Sequence, residues 1–228
     1  MKPIFLSRLE TTTNDLTAES IIIFNHNGVI DGPHLHSALE AELDSNLAAD
    51  QIVFIIPEHA KKELKDTLSN DAGLASLITR FNKRTAIILQ TFSAAGEFSK
   101  PQNIGEIEPI VTFEKHILCR QLLTRVFLDH GGFVEANDNY HFVNPSGRHT
   151  QKFIRISNLL DDYAEVGIFA FACMSFVSPD IDQVYVDTPS LFSVIAALNE
   201  IRLGFQLPSL AIRNFASSRL TLPGSPFR

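Results

Sequence analysis

Two hydroxyl side chains, Ser190 and Ser193, stand where a short apolar stretch, Val184-Tyr185-Val186, gives way to a helical period starting at Phe192. A helix that begins directly behind a strand turns free backbone N–H groups toward the intervening turn, and phosphate oxygens suit that cradle. Arg148 and Arg213 add guanidinium groups able to make charge-assisted bonds to phosphate oxygens. The same residues also have ordinary readings: Ser190 as a helix N-cap, Asp187 as a strand-end residue and Arg148 as a solvated turn residue. Residue type and spacing leave both readings open.

The segment His141-Phe142-Val143-Asn144-Pro145-Ser146-Gly147-Arg148-His149-Thr150-Gln151-Lys152-Phe153 carries an aromatic, a Ser-Gly-basic turn, a hydroxyl and a second aromatic. With Gln183 to Ser193, it resembles the front half of an orotate-phosphoribosyltransferase-like domain, a type I phosphoribosyltransferase, over about residues 133–215. That resemblance implies an α/β fold and a site for phosphoribosyl pyrophosphate or another phosphorylated small molecule. It implies Ser146, Gly147, Arg148, Asp187, Thr188, Ser190, Ser193 and Arg213 as substrate- or phosphate-binding residues, with Mg²⁺ as cofactor if the chain is active. Displacing pyrophosphate from a ribose carbon passes through a cationic sugar, and the leaving group needs donors and a metal to carry its charge. Pro145 stands where the family carries a Lys, and Thr150 where it carries a Ser. Nothing after Pro189 matches the family's acid-pair loop, which grips the ribose hydroxyls and the 5′-phosphate. Leu159-Leu160-Asp161-Asp162 echoes that loop, but it lies before the pyrophosphate-like segment and reads as the acidic first turn of a helix. The expectation is a phosphoribosyltransferase-like protein that is incomplete or catalytically degenerate, with no catalytic residue assigned. The alternative is a non-catalytic binding or assembly module with a pseudoenzyme fold.

Near the start, Ile21-Ile22-Ile23-Phe24-Asn25-His26-Asn27-Gly28-Val29 is similar to the opening motif of haloacid-dehalogenase-like phosphatases. Asn25 and Asn27 occupy both positions where that family has Asp, and an amide neither attacks phosphorus nor trades protons at neutral pH. The resemblance implies at most a phosphate-binding pseudoenzyme, and a plain buried strand with an Asn-Gly turn is the preferred reading. His34, His36 and Glu40 could share a helical face, but no second cluster completes a metal-ligand set, so no metal site is assigned. Cys119 lies on the apolar stripe of a helix and reads as a buried thiol, not a nucleophile.

The elements that would position these residues follow from hydrophobic period. Ile21–Phe24, Ile52–Ile56 and Ala86–Leu89 are continuous apolar runs of the kind buried on both faces of a parallel sheet. Amphipathic helices are expected over His34–Leu43, Glu58–Leu68 and Leu74–Phe81 between them. This predicts a small Rossmann-like parallel sheet at 1–92, a linker at 93–112, and the phosphoribosyltransferase-like α/β region at 113–228. Within that region helices are expected at Phe113–Asp129, stopped by Gly131-Gly132, at Leu159–Phe176 and at Phe192–Leu203. Strands are expected at Val184–Val186 and Leu210–Ile212, with a loop or hairpin through Tyr140–Phe142.

The chain has 228 residues, 45% of them hydrophobic, with eighteen Phe and no Trp, enough apolar material for an ordinary core. A net charge of −7 makes nucleic acid an unlikely partner. No acid follows Glu200, while Arg202, Arg213, Arg219 and Arg228 do, leaving a basic tail that could meet phosphate or an acidic partner. Two cysteines among apolar residues suit a reducing compartment. Val166–Val177, the longest apolar segment, is shorter than the roughly 20 residues that span a bilayer. The sequence therefore predicts a cytoplasmic protein without a membrane segment, as a homodimer or with a protein partner.

Overall fold

The computed structural model describes residues 4–13, 16–44, 49–136, 142–143, 149–155, 159–186 and 188–214. A five-stranded mixed sheet forms the centre, in the order β1 (Ile4–Thr13), β2 (Leu16–Asn25), β3 (Gln51–Pro57), β4 (Ala86–Phe92) and β5 (Gln102–Asn103). The inner strands β2, β3 and β4 are parallel, as expected from their apolar runs, with Ile21 beside Ile52 and Ile52 beside Ile87. Both edges are antiparallel, which corrects the all-parallel expectation. Strand β1 escaped the sequence reading because it mixes Arg8, Glu10 and three threonines among its apolar positions. Its charge is held at the edge: Arg8 donates to Glu19 of β2 at 2.7 Å and to Glu42 of the first helix at 2.9 Å.

Alternation along each inner strand sends successive side chains to opposite faces. Ile21, Ile23, Phe54 and Leu89 face one layer, made of α1 (Gly32–Asp44), α2 (Lys61–Asn70) and α3 (Ala72–Phe81). Ile22, Phe24, Val53 and Ile88 face the other layer, made of α4 (Lys115–Asp129), α5 (Tyr163–Cys173) and α6 (Phe192–Gly204). The apolar core therefore cuts across the boundary expected at 93–112, since strands from one side of it and helices from the other bury the same surface. Phe171 of α5 is the centre of that contact: it is fully buried, 5.3 Å from Phe24, 4.7 Å from Phe92 and 5.7 Å from Phe98, ring centre to ring centre.

Helix limits agree with the hydrophobic period to within a few residues, except for α5. The expected helix at Leu159–Phe176 begins only at Tyr163, because Asp162 caps it, accepting from the N–H groups of Ala164 (2.8 Å) and Glu165 (3.3 Å). Asp162 is thus an N-cap and not a residue of the first turn. The last turn, Met174–Phe176, tightens to a 3₁₀ helix. The remaining strands are peripheral: β6 (Phe133–Glu135) pairs β9 (Lys152–Ile154), β7 (Phe142–Val143) pairs β8 (His149–Thr150), and β10 (Gln183–Val186) runs parallel to β11 (Ala211–Asn214). Parallel pairing of β10 and β11 requires a crossover, and α6 supplies it. Gly131 follows α4 at φ +57°, the left-handed stop expected there.

Because Phe171 joins both halves, Phe171→Ala should lower unfolding free energy by about 4 kcal/mol. Denaturant unfolding monitored by circular dichroism should still show one transition; two separated transitions would show that the halves fold independently.

Candidate functional site

Of the residues expected to hold phosphate, Thr188, Ser190, Ser193 and Arg213 are described, whereas Ser146, Gly147, Arg148 and Asp187 lie outside the described residues. Behind β10 the chain forms a 3₁₀ turn, Pro189–Leu191, that runs directly into α6. Leu191 occupies the N-cap position of α6 and no side chain caps it, so Ser190 is not the N-cap. The Ser193 hydroxyl donates to the Ser190 carbonyl at 3.1 Å. Arg213, on β11, is exposed and stands beside Tyr185 of β10, one residue pair before the last of the parallel register. Both strands thus end on the side where Thr188 and Ser190 leave β10, the end of parallel strands at which α/β proteins bind ligands. Among the small peripheral strands, Phe142 of β7 stacks on Phe153 of β9 at 5.4 Å, and the Thr150 hydroxyl donates to the Lys152 carbonyl at 2.8 Å.

A second polar cluster sits at the carboxyl end of β2, in the turn that carries Asn25 and Asn27. Asn25 is buried and fully engaged: its amide donates to the Val29 carbonyl at 2.7 Å and its oxygen accepts from the Gly28 N–H at 2.7 Å. Asn27 accepts from the Val29 N–H at 3.0 Å and donates to the Tyr163 hydroxyl at 2.9 Å. These amides shape the turn, in which Gly28 adopts φ +78°. Between them, His26 is wholly buried, 3.6 Å from the Glu200 carboxylate through Nε2 and 4.8 Å from the Tyr163 ring. Tyr163 donates to Glu200. Burial, followed by that bond, pushes the Tyr163 hydroxyl up to about 12. Burial also holds His26 below its ordinary 6.5, with Glu200 opposing.

Neither His26, Tyr163 nor Glu200 stood out in the sequence. One signal was present: Gly167 interrupts the apolar run of α5, and a lone glycine in a helix usually has a packing reason. A Cβ there would lie 2.2 Å from the His26 ring. Arg202, which in sequence belongs to the acid-free basic tail, is buried near the end of α6. Its guanidinium donates to the carbonyls of Ile181 (2.7 Å), Pro208 (2.9 Å), Pro179 (3.1 Å) and Ser178 (3.4 Å). It is a structural tie between the segments flanking β10 and β11.

The other candidates resolve simply. Burial pushes the Cys119 thiol up to about 11, which excludes a ready thiolate. His36 meets Glu40 at 3.8 Å, and no group of three or more His, Cys, Asp or Glu gathers as a metal site among the described residues. Among those residues no helix is long and apolar enough to cross a membrane. Comparison with protein-family models, with curated proteins and with solved structures gave no match.

Restoring the phosphatase-type acid by Asn25→Asp should yield no hydrolysis of p-nitrophenyl phosphate. It should also cost about 2 kcal/mol in chemical denaturation, because a carboxylate oxygen would replace the buried Asn25 amide that donates to the Val29 carbonyl.

Proposed function

We propose that this chain is a phosphoribosyltransferase-like module that binds a phosphorylated small molecule, a nucleotide or sugar phosphate, at the turn between β10 and α6. The observation that carries the reading is the β10–α6–β11 unit, in which a parallel strand pair ends beside a hydroxyl-bearing turn and an uncapped helix start. The backbone dipoles of the first helical turn favour an anion, although the Phe192 N–H already donates to the Pro189 carbonyl. Thr188 and Ser190 provide hydroxyls beside them, and Arg213 provides the nearest described cation on the paired strand. In the same reading Ser146, Gly147 and Arg148, outside the described residues, supply a further hydroxyl and guanidinium.

Binding, and not turnover, is the activity expected of the residues in this sequence. Glu200 is the only acid after Pro189, so no acidic pair follows that could hold the ribose hydroxyls. No described residue is assigned to Mg²⁺, since no ligand cluster is present to hold it; the ion would enter as counter-ion to a diphosphate. A second reading, a non-catalytic assembly module, draws on Phe176 and Leu203, which are 82% and 69% exposed. It predicts a dimer by light scattering that does not respond to phosphorylated ligands.

Thermal unfolding with Mg²⁺ and phosphoribosyl pyrophosphate tests the first reading. Ligand at about 100 times its Kd should add roughly 2.7 kcal/mol of stability. Ser190→Glu, which puts negative charge in the turn, and Arg148→Ala should each remove the gain without lowering the unliganded midpoint. No gain at millimolar ligand would overturn the reading.

A further inference from the structure

The His26 ring is the least compensated polar group in the seam between the sheet and the second helical layer. It is 0% exposed, and neither ring nitrogen has a hydrogen-bond partner among the described residues. Its Nδ1 side abuts Gly167 of α5, where even a methyl group would collide, so the slot has no room for a bridging side chain. Its Nε2 side faces Glu200 of α6 at 3.6 Å, beyond hydrogen-bond length, and that carboxylate already accepts from Tyr163. The titratable groups facing the ring are therefore Tyr163 from α5 and Glu200 from α6. His59, from the segment after β3, lies beyond Gly28 and packs on Phe205 at 4.9 Å. A neutral imidazole tolerates this slot; an imidazolium would need two acceptors and finds at most one, already shared.

We propose that His26 is a proton-operated latch: with its ring neutral, α5 and α6 stay docked on β2, and a proton taken up by the ring releases them. The sign follows from the direction of the shift. The folded ring binds a proton less readily than the unfolded one, so the latch contributes its full stability above pH 6.5 and loses it as pH falls below that value. Glu200 softens the loss, because it is the counter-charge that the ring meets among the described residues. The release is local to one face of the sheet, since the apolar sides of α1, α2 and α3 pack on the opposite face. The inference is independent of what ligand the chain binds.

Amide hydrogen exchange between pH 7.5 and 5.5, corrected for intrinsic rates, tests the latch. The opening constant of α5 and α6 amides should rise below pH 6.5 by up to about tenfold per pH unit, the slope of one proton. Amides of α1 to α3 should change much less. His26→Gln should flatten the α5–α6 profile, and Glu200→Gln should carry the rise to lower pH. Equal profiles in wild type and His26→Gln would overturn the latch. Should His26→Gln not fold, the wild-type ring decides by NMR: a His26 ring that gains its proton at or above pH 6.5, with α5–α6 protection unchanged, would overturn it equally.

Discussion

Three central strands, apolar on both faces, set the constraint from which the rest of this structure follows. Ile21 to Phe24, Ile52 to Ile56 and Ala86 to Leu89 leave no polar face to present to water, so a parallel sheet of this kind needs a helical layer on each side. The chain between the strands makes the first layer. Only the second half of the chain is left to make the other, and Phe171, wedged against Phe24, Phe92 and Phe98, shows how completely it does so. The two halves share a core because neither face of the sheet can be left bare.

That arrangement forces polar residues into the seam wherever a strand ends beneath a helix. They are compensated unequally. Asn25 spends its amide on the turn that it sits in, and Arg202 finds four carbonyls. His26 finds no bond, and the Lys115 amine, also without a hydrogen-bond partner, rests 5.0 Å from the centre of the Phe171 ring. Buried polar groups with full partners specify a structure, whereas those without partners make the local packing sensitive to protonation. For Lys115, burial lowers the affinity for a proton, as it does for His26. A carboxylate opposes the effect of burial at both, Glu200 at the histidine, 3.6 Å away, and Glu97 at the lysine, without an ion pair to Lys115 among the described residues.

Local periodicity made the inner strands and nearly every helix legible, because apolar runs and 3.6-residue stripes are written within one segment. The strand β1 was hidden, since its half-buried cation Arg8 is neutralised by Glu19 and Glu42, partners 11 and 34 positions away. The shared core was hidden for the same reason: a Gly, Ser and Pro-rich stretch at 93–112 looks like a linker when the surfaces that it joins are unknown. The candidate phosphate turn was legible as strand, hydroxyls and helix start, whereas the cluster of His26, Tyr163 and Glu200 draws on three elements far apart in sequence. Gly167 alone hinted at it, and it hinted at crowding, not at what crowds it.

Helix α6 ties these threads together, because its two ends have opposite character. At its start, Ser193 lies beside the turn in which the proposed ligand would sit; at its end, Glu200, Arg202 and Gly204 are pressed into the seam against His26, the loop carbonyls and the His59 ring. Ser193 and Glu200 are seven residues apart, about 10 Å along the axis. A helix is stiff over that length, so a change in how its buried end is seated must move its exposed end as well. Its seating depends on a neutral ring at His26 and on the four carbonyls that hold Arg202, and the turn at its start inherits whatever precision those contacts give.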